Sequence, residues 1–411
     1  RTNTDKRMRQ KKLMLLGGSA QQVVAIKKAK DLGYYTVLCD YLPDNPGQYE
    51  ADKYYNVSTT DVDAVYEVAA KEAVNGILAY ASDPAALPAA IVAERLGLPT
   101  NPSSSVAVLG VKHKWREFLQ THGFACPKTY TFSPNCNLQE VETALGSFNY
   151  PIVIKPTDSS GSKGVSMLDR LDNLEKAIQW ADSYSRNKVL IAEEFIHRAF
   201  PYVIGGDVFV WDGRIVLYGE LACLRDNGGK GLIPIGKKKP TGLIPSQVDK
   251  IHSELQRLIT MLDVRFGEMN IEVLLDRNND VHFLEVGPRA GGNMIPLLLS
   301  DAYGIDLVKA NVLAAMGEDP KLEIDEQPGC FMTYVLHSHV DGIFQGVDFA
   351  EEVQPYIYRK VLYKKEGDAV EAFDGAGKAL GIVFFHIDTE ERMNDFVERI
   401  DELVKVQVTG R

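Results

Sequence analysis

Two glutamates and an arginine carry the strongest chemical signal in this chain. Residues 281–293, VHFLEVGPRAGGN, end an apolar strand on Glu285 and pass through Gly287 and Pro288 to Arg289 and a Gly-Gly turn. Just upstream, GEMNIEVLLDRNNDV supplies a second strand-like run carrying Asn270 and Glu272, and Asn278-Asn279 between the runs suits a tight hairpin turn. If Arg277 faces Asp280 across that turn, an unbulged ladder puts Glu272 opposite Glu285 and Asn270 opposite Gly287. The same counting puts Phe283 and Leu274 on the carboxylate face and His282 on the other. Opposed like charges destabilise a sheet, and a divalent cation resolves the conflict. Magnesium suits two carboxylates completed by phosphate oxygens, because it seldom has an all-protein cage. The plain alternative is a solvated hairpin face.

Other features handle phosphate. PIVIKPTDSSGSKGV (151–165) places Lys155 at the end of a β-branched strand, before a loop with Gly161, Lys163 and Gly164. Such a loop turns backbone N–H groups onto an anion while a lysine neutralises it. It is no Walker loop, since G-K-[ST] is absent, and an ordinary Gly/Ser hairpin turn competes with this reading. Gly17-Gly18-Ser19, with Asp40 about twenty residues on as a ribose ligand, lacks G-x-G-x-x-G and reads as a tight turn.

The elements that position these groups follow from the pattern. At 411 residues, with 45% hydrophobic and 25% charged residues, the chain has material for two or three packed domains. A net charge of −11 argues against generic nucleic-acid or anionic-membrane binding. Five scattered cysteines without C-x-x-C spacing fit a reduced, cytoplasmic compartment. No apolar run reaches the roughly 18 residues of a membrane span. LMLLGG, QQVVAIKKAKDLG and YTVLCD alternate strand, helix and strand as in a parallel α/β unit. NPSSSVAV, around Pro102, reads as a linker, and KHKWREFLQTHG as a helix ending at Gly123. DVFVWDGRIVLYGE (207–220) reads as a hairpin around Asp212-Gly213. Residues 222–246, rich in Gly, Lys and Pro, read as a loop whose basic run is solvated or holds an acidic substrate. Short strands and a final helix (TEERMNDFVERIDELV) close the chain.

Together these motifs resemble the ATP-grasp superfamily, from about residue 12 to 405. The resemblance implies a mixed α/β and α+β architecture: a polar tail (1–11), a Rossmann-like N-terminal domain (12–111), a lid and hinge (112–196), a metal-binding subdomain (197–326) and a small C-terminal α+β module (327–411). It implies ATP as cofactor with Mg2+, or Mn2+ in its place. Lys112, followed by Arg116, Leu119 and Gly123, resembles the family's first phosphate lysine, with Lys114 competing. Lys155 resembles the second, and Ser160, Gly161, Ser162 and Gly164 the phosphate loop. Glu193, Glu194, Phe195 and Ile196 resemble the hinge that reads adenine through backbone groups. Glu272 and Glu285 match the metal carboxylates, and Arg289 the arginine that steadies an acyl phosphate.

Two departures stand out. Gly287 replaces a usual third metal ligand, for which Asn270 or Asn293 could substitute, and FPYVIGGD lacks an acidic ribose ligand. The E-x-x-x-R-x-G-G ending is similar to the L-amino-acid ligases. The implied activity joins a small-molecule carboxylate to an amine through an acyl phosphate, releasing ADP, in an enzyme that by analogy is a homodimer. A bicarbonate-using enzyme of the biotin-carboxylase or carbamoyl-phosphate type is the rival within the class, and a non-catalytic ATP-binding sensor the rival outside it.

Overall fold

The computed structural model describes residues 10–157, 164–226 and 233–410, without the side chains of Lys112 and His113. Ser160, Gly161 and Ser162 lie outside the described residues.

Four short strands, all but the edge strand β3 largely buried, open the fold: β1 (Lys12–Leu16), β2 (Tyr35–Asp40), β3 (Lys53–Asn56) and β4 (Gly76–Leu78), in the parallel order β3-β2-β1-β4. Leu13 and Leu15 face one apolar cluster, Met14 and Leu16 another, so both faces are covered, as parallel sheets require. Ser103–Gly110, expected as a linker, is a helix. It follows Pro102, and Val106 and Leu109 anchor it. Proline just before a helix needs no N–H of its own, which is why a proline-and-serine stretch can start one.

A second sheet contains β5 (Thr129–Phe132), β6 (Ile152–Pro156), β7 (Ser166–Leu168) and β8 (Leu190–Glu194) in the order β5-β8-β6-β7, all antiparallel. The largest sheet has eight strands. It begins with the hairpin of β9 (Ile204–Trp211) and β10 (Arg214–Arg225), whose turn residues Asp212 and Gly213 have φ of 50° and 76°. β11 (Pro234–Lys239) follows, then β12 (Phe266–Leu275), β13 (Val281–Gly287) and β14 (Cys330–Leu336). Next along the chain are β15 (Gly342–Phe349), β16 (Ile357–Leu362), β17 (Ala369–Val370), β18 (Gly381–Ile387) and β19 (Val404–Thr409). The eight-stranded order is β13-β12-β9-β10-β11-β14-β18-β16, and β17-β15-β19 form a small sheet. A boundary at residue 327 therefore falls inside a hydrogen-bonded sheet. The closing stretch is a helix only to Leu403, after which Val404–Thr409 pairs with β15.

β11 also corrects the loop reading of 222–246. Lys237, Lys238 and Lys239 are buried in a central strand. Their ammonium groups reach Cys223 Sγ (2.8 Å), Asn394 Oδ1 (2.9 Å) and Glu326 Oε1 (2.8 Å) respectively. A run of charge in sequence is here three separately satisfied buried cations, as burial demands.

Helix Leu307–Ala315 joins the first and largest sheets, sharing one cluster with β1 through Val308, Val312 and Ala315. Gly76 is needed there, since a Cβ would lie 2.5 Å from Ala315 O. That packing sets where the N-terminal sheet meets the carboxylate strands.

Candidate active site

Glu272 pairs with Glu285, and Asn270 with Gly287, across the β12–β13 ladder. The route to that register differs from the sequence reading. Asn279 N–H donates to Asp276 O (2.8 Å) and Asp276 N–H to Asp280 O (3.1 Å), closing a three-residue loop with Asn279 at φ 59°. Leu284 is then the extra residue of a bulge, because Val273 pairs with Phe283. The longer loop and the bulge offset one another. They also reverse two face assignments. Phe283 sits with Val273 in the core away from the carboxylates, while His282 pairs with Leu274, on the Glu272 side. His282 is structural: its Nε2 lies 2.9 Å from Asp276 Oδ2. Although burial opposes it, the hydrogen bonds from His282 and from the Asp280 and Asn278 N–H groups hold Asp276 below the usual carboxylate range.

Both glutamates line a cleft of about 610 Å³ that also takes in Asp83, Arg116 and Gly287, within the usual size of a small-molecule site. Glu272 Oε1 is 3.5 Å from Arg225 Nη2. Opposed carboxylates in a cleft of this kind fit a divalent cation shared with phosphate oxygens.

Arg289 is 13% exposed and does not point into an open gap. Its Nε and Nη2 donate to Asp83 Oδ1 (2.7 Å) and Oδ2 (2.8 Å), a bidentate clamp on the helix Asp83–Leu96 of the N-terminal unit. Burial works against its charge, but the hydrogen bond and charge of Asp83, with Asp207 and Glu285 nearby, raise its pKa above the ordinary arginine value. A Cβ on Gly287 would lie 3.0 Å from Arg289 Cζ. Gly287 thus leaves the space that the guanidinium occupies.

Asn270 Nδ2 donates to Asp207 Oδ1 (2.9 Å) and Gly206 O (3.1 Å). Asp207, fully buried, also accepts the Gly291 N–H at 2.8 Å. A side chain at Gly291 would strike Asp207 Oδ1 at 2.6 Å, which explains one glycine of the R-A-G-G turn. The acid in FPYVIGGD is therefore a buried brace of the Arg289 loop. Glu268 lies beside it, with Oε1 accepting from Asn311 Nδ2 at 2.8 Å. Burial, then the charge of Asp207, raises its pKa well above the ordinary glutamate value, which favours the neutral acid. The available clue was an acid inside each apolar strand, Asp207 before VFVW and Glu268 before MNIEVLL.

Because burial raises the folded-state pKa of Glu268 above the ordinary glutamate value of about 4.3, stability falls as pH rises from there. Glu268→Gln, which imitates the neutral acid, is expected to remove up to about 1.4 kcal/mol per pH unit of that slope. Urea titrations from pH 5 to 8 measure it, and an unchanged slope would refute the assignment.

Lys155 of the second sheet and Arg116 of helix Lys112–Thr121 converge on one carboxylate. Glu193 Oε1 is 2.8 Å from Arg116 Nη2 and 3.4 Å from Lys155 Nζ. Glu194 ties strand ends, accepting from Lys128 N and Asn149 N, both at 2.8 Å. Phe195 is exposed, with its N–H on Pro151 O. Ile196 packs with Val203, Cys223 and Leu274. Lys112 begins helix Lys112–Thr121, Lys114 is exposed, and Gly164 has φ +75°. Asn293 is left-handed (φ 52°), and its N–H donates to Gln21 Oε1 at 3.1 Å. At the first turn, Gly18 N–H donates to Asp40 Oδ2 at 2.7 Å, so Asp40 closes the tight turn.

By its fold and its relatives the protein is an ATP-grasp ligase. The family model described as "Carbamoyl-phosphate synthase L chain, ATP binding domain" matches residues 112–323, just over half of the chain, and the chain belongs to that family. Among curated proteins, it is 26% identical over 297 residues to the formate-dependent phosphoribosylglycinamide formyltransferase of Bacteroides thetaiotaomicron, covering 68% of this chain and 70% of that protein. The carbamoyl phosphate synthase large chain of Thermotoga maritima is 20% identical over 293 residues, covering 70% of this chain but only 26% of that one. Among solved structures, phosphoribosylglycinamide synthetase from Anaerococcus prevotii superposes with a TM-score of 0.82 at 19% identity, covering 97% of this chain and 100% of that one. An L-amino acid ligase from Bacillus licheniformis gives 0.77 at 19% identity, covering 98% and 100%. No helix among the described residues is long and apolar enough to cross a membrane.

Proposed function

We propose that the chain couples ATP hydrolysis to joining a small-molecule carboxylate to an amine, through an acyl phosphate, with release of ADP and phosphate. The observation that carries this reading is the opposed pair Glu272–Glu285 in the cleft lined also by Asp83, to which Arg289 is clamped, and by Arg116. Glu272 and Glu285 would hold Mg2+, with Asn270 offering its amide oxygen, since its nitrogen is already committed to Asp207 and Gly206. Mg2+ would neutralise charge building on the transferred phosphoryl group.

Lys155, Lys112 and Arg116 would meet the phosphates with the loop around Ser160, Gly161, Ser162 and Gly164. Ile196 would line the adenine slot with Val203 and Leu274, as the N–H groups of Glu194 and Phe195 are taken by Lys128 O and Pro151 O. Arg289 would leave Asp83 to steady the acyl phosphate. Phosphoryl transfer asks mainly for positioning and charge neutralisation, which these groups supply without a covalent nucleophile.

ADP release with Mg-ATP over a matrix of amino acids, other carboxylates, amines and bicarbonate tests the reading. Dependence on both a carboxylate and an amine supports it. Stimulation by bicarbonate alone would give the carboxylase-type reading its place, and ATP binding without turnover the sensor.

Two substitutions probe the parts. Glu193→Gln loosens Lys155 and Arg116 together, so KM for ATP should rise about tenfold while kcat stays within about threefold, in keeping with one charge-assisted hydrogen bond. An unchanged KM would remove Glu193 from phosphate positioning. Asn270→Ala should weaken Mg2+ binding by at least about tenfold, since losing a ligand costs no less than losing an outer-shell partner; calorimetry showing wild-type affinity would exclude it as a ligand.

A further inference from the structure

Among the described residues, one group of three metal-ligating side chains converges outside the carboxylate cleft: Asp226, His337 and His339. Asp226 follows the end of β10 and His337 the end of β14. Both strands run antiparallel to β11, so they end at the same edge of the eight-stranded sheet. Tertiary pairing thus brings an aspartate next to a His-Ser-His segment remote in sequence.

The tautomer of His337 is fixed by its surroundings. Its Nδ1 lies 2.8 Å from Val335 O, and a carbonyl only accepts, so Nδ1 carries a proton. In a neutral ring Nε2 is then a bare lone pair, and it faces Asp226 Oδ1 at 3.9 Å. His339 Nε2 approaches the same oxygen at 3.5 Å. These separations exceed a good hydrogen bond. They are close to the roughly 3.3 Å between neighbouring ligands bound about 2.0–2.1 Å from one tetrahedral ion. All three ligand atoms lie within 4.8 Å of one another.

The site is also built rather than incidental. Asp226 and His337 side chains are each 5% exposed, and Phe373 packs on the His337 ring with centroids 4.7 Å apart. An outer carbonyl on Nδ1 is the usual device that aims a ligating histidine. His339 is 44% exposed, which opens the group to solvent.

We infer that Asp226, His337 and His339 form a binding site for a divalent transition metal ion of the zinc class, separate from the magnesium carboxylates, with an outward position left for water or a substrate donor. Two imidazoles and one carboxylate suit Zn2+, Co2+ or Fe2+ and are poor ligands for Mg2+. Magnesium therefore does not compete for the site.

The full, tag-free chain, stripped with a chelator and dialysed into excess Mg2+, would be titrated with Co2+ while visible absorption and retained metal are followed. About one Co2+ per chain is expected, displaced by Zn2+. Removing one ligand should cost more than the roughly 10–100-fold of an outer-shell change. His339→Ala, at an exposed ring that leaves the core intact, and Asp226→Asn should therefore weaken Co2+ binding by more than about 100-fold. Glu285→Ala should bind Co2+ like the wild type. Absence of Co2+ binding in the wild type would overturn the site, as would undiminished binding in His339→Ala or loss confined to Glu285→Ala.

Discussion

Glu285→Ala is expected to lower ADP release by at least about 10³-fold and to abolish the stabilisation that Mg-ATP gives the wild type. Electrostatic groups aimed at developing charge are worth about 10²–10³ each, and this substitution removes the cation's anchor as well as its own charge. The folded protein should tolerate the change. Glu285 is exposed in the cleft and sits opposite a like charge, so its loss should leave stability without nucleotide within about 1 kcal/mol, the scale of a cross-strand pair. Thermal unfolding of wild type and variant, with and without Mg-ATP, separates the two contributions through ligand linkage. A variant that still gains the full Mg-ATP shift would show that the carboxylate pair does not hold the cation.

Arg289→Lys should produce the second large effect, a fall in kcat of about 10²–10³ with KM for ATP nearly unchanged. Lysine keeps the charge but not the planar fork. The fork is what Arg289 uses: two of its nitrogens meet the two Asp83 oxygens at 2.7 and 2.8 Å, and its guanidinium lies over Gly287. An acyl phosphate or substrate carboxylate presents the same paired oxygens that Asp83 offers now. A point charge on a flexible stem would bind one oxygen and lose the orientation. Steady-state kinetics decide it, and a rise in KM for ATP with unchanged kcat would assign Arg289 to nucleotide binding instead.

The carboxylate pair was legible because strand period and hairpin closure restrict which residues can face each other, and an acid in each apolar run is conspicuous. The pairing came out right through offsetting departures, a three-residue loop and a bulge at Leu284. His282 and Phe283, on the turn side of the bulge, consequently changed faces. Lys155 was visible as a lysine ending a β-branched strand. Its neighbour Glu193 was visible as well, but not the fact that its carboxylate holds Lys155 and Arg116 together. The lysines of β11 misled because three consecutive cations look solvated until distinct partners from remote segments satisfy each one.

By itself, then, the sequence determined the elements whose information is local: strand and helix alternation, the Asp212-Gly213 turn, the apolar runs carrying Glu272 and Glu285, and the glycines around Arg289. These depend on φ/ψ preferences and side-chain period, which act over a few residues. Only the tertiary structure decided that Asp83 clamps Arg289, that Asp207 and Glu268 lie buried together behind Asn270, and that Asp226 meets His337 and His339. Each of those contacts joins segments far apart in the chain. Their energies come from desolvation and charge at short range, which exist only after the sheets have packed.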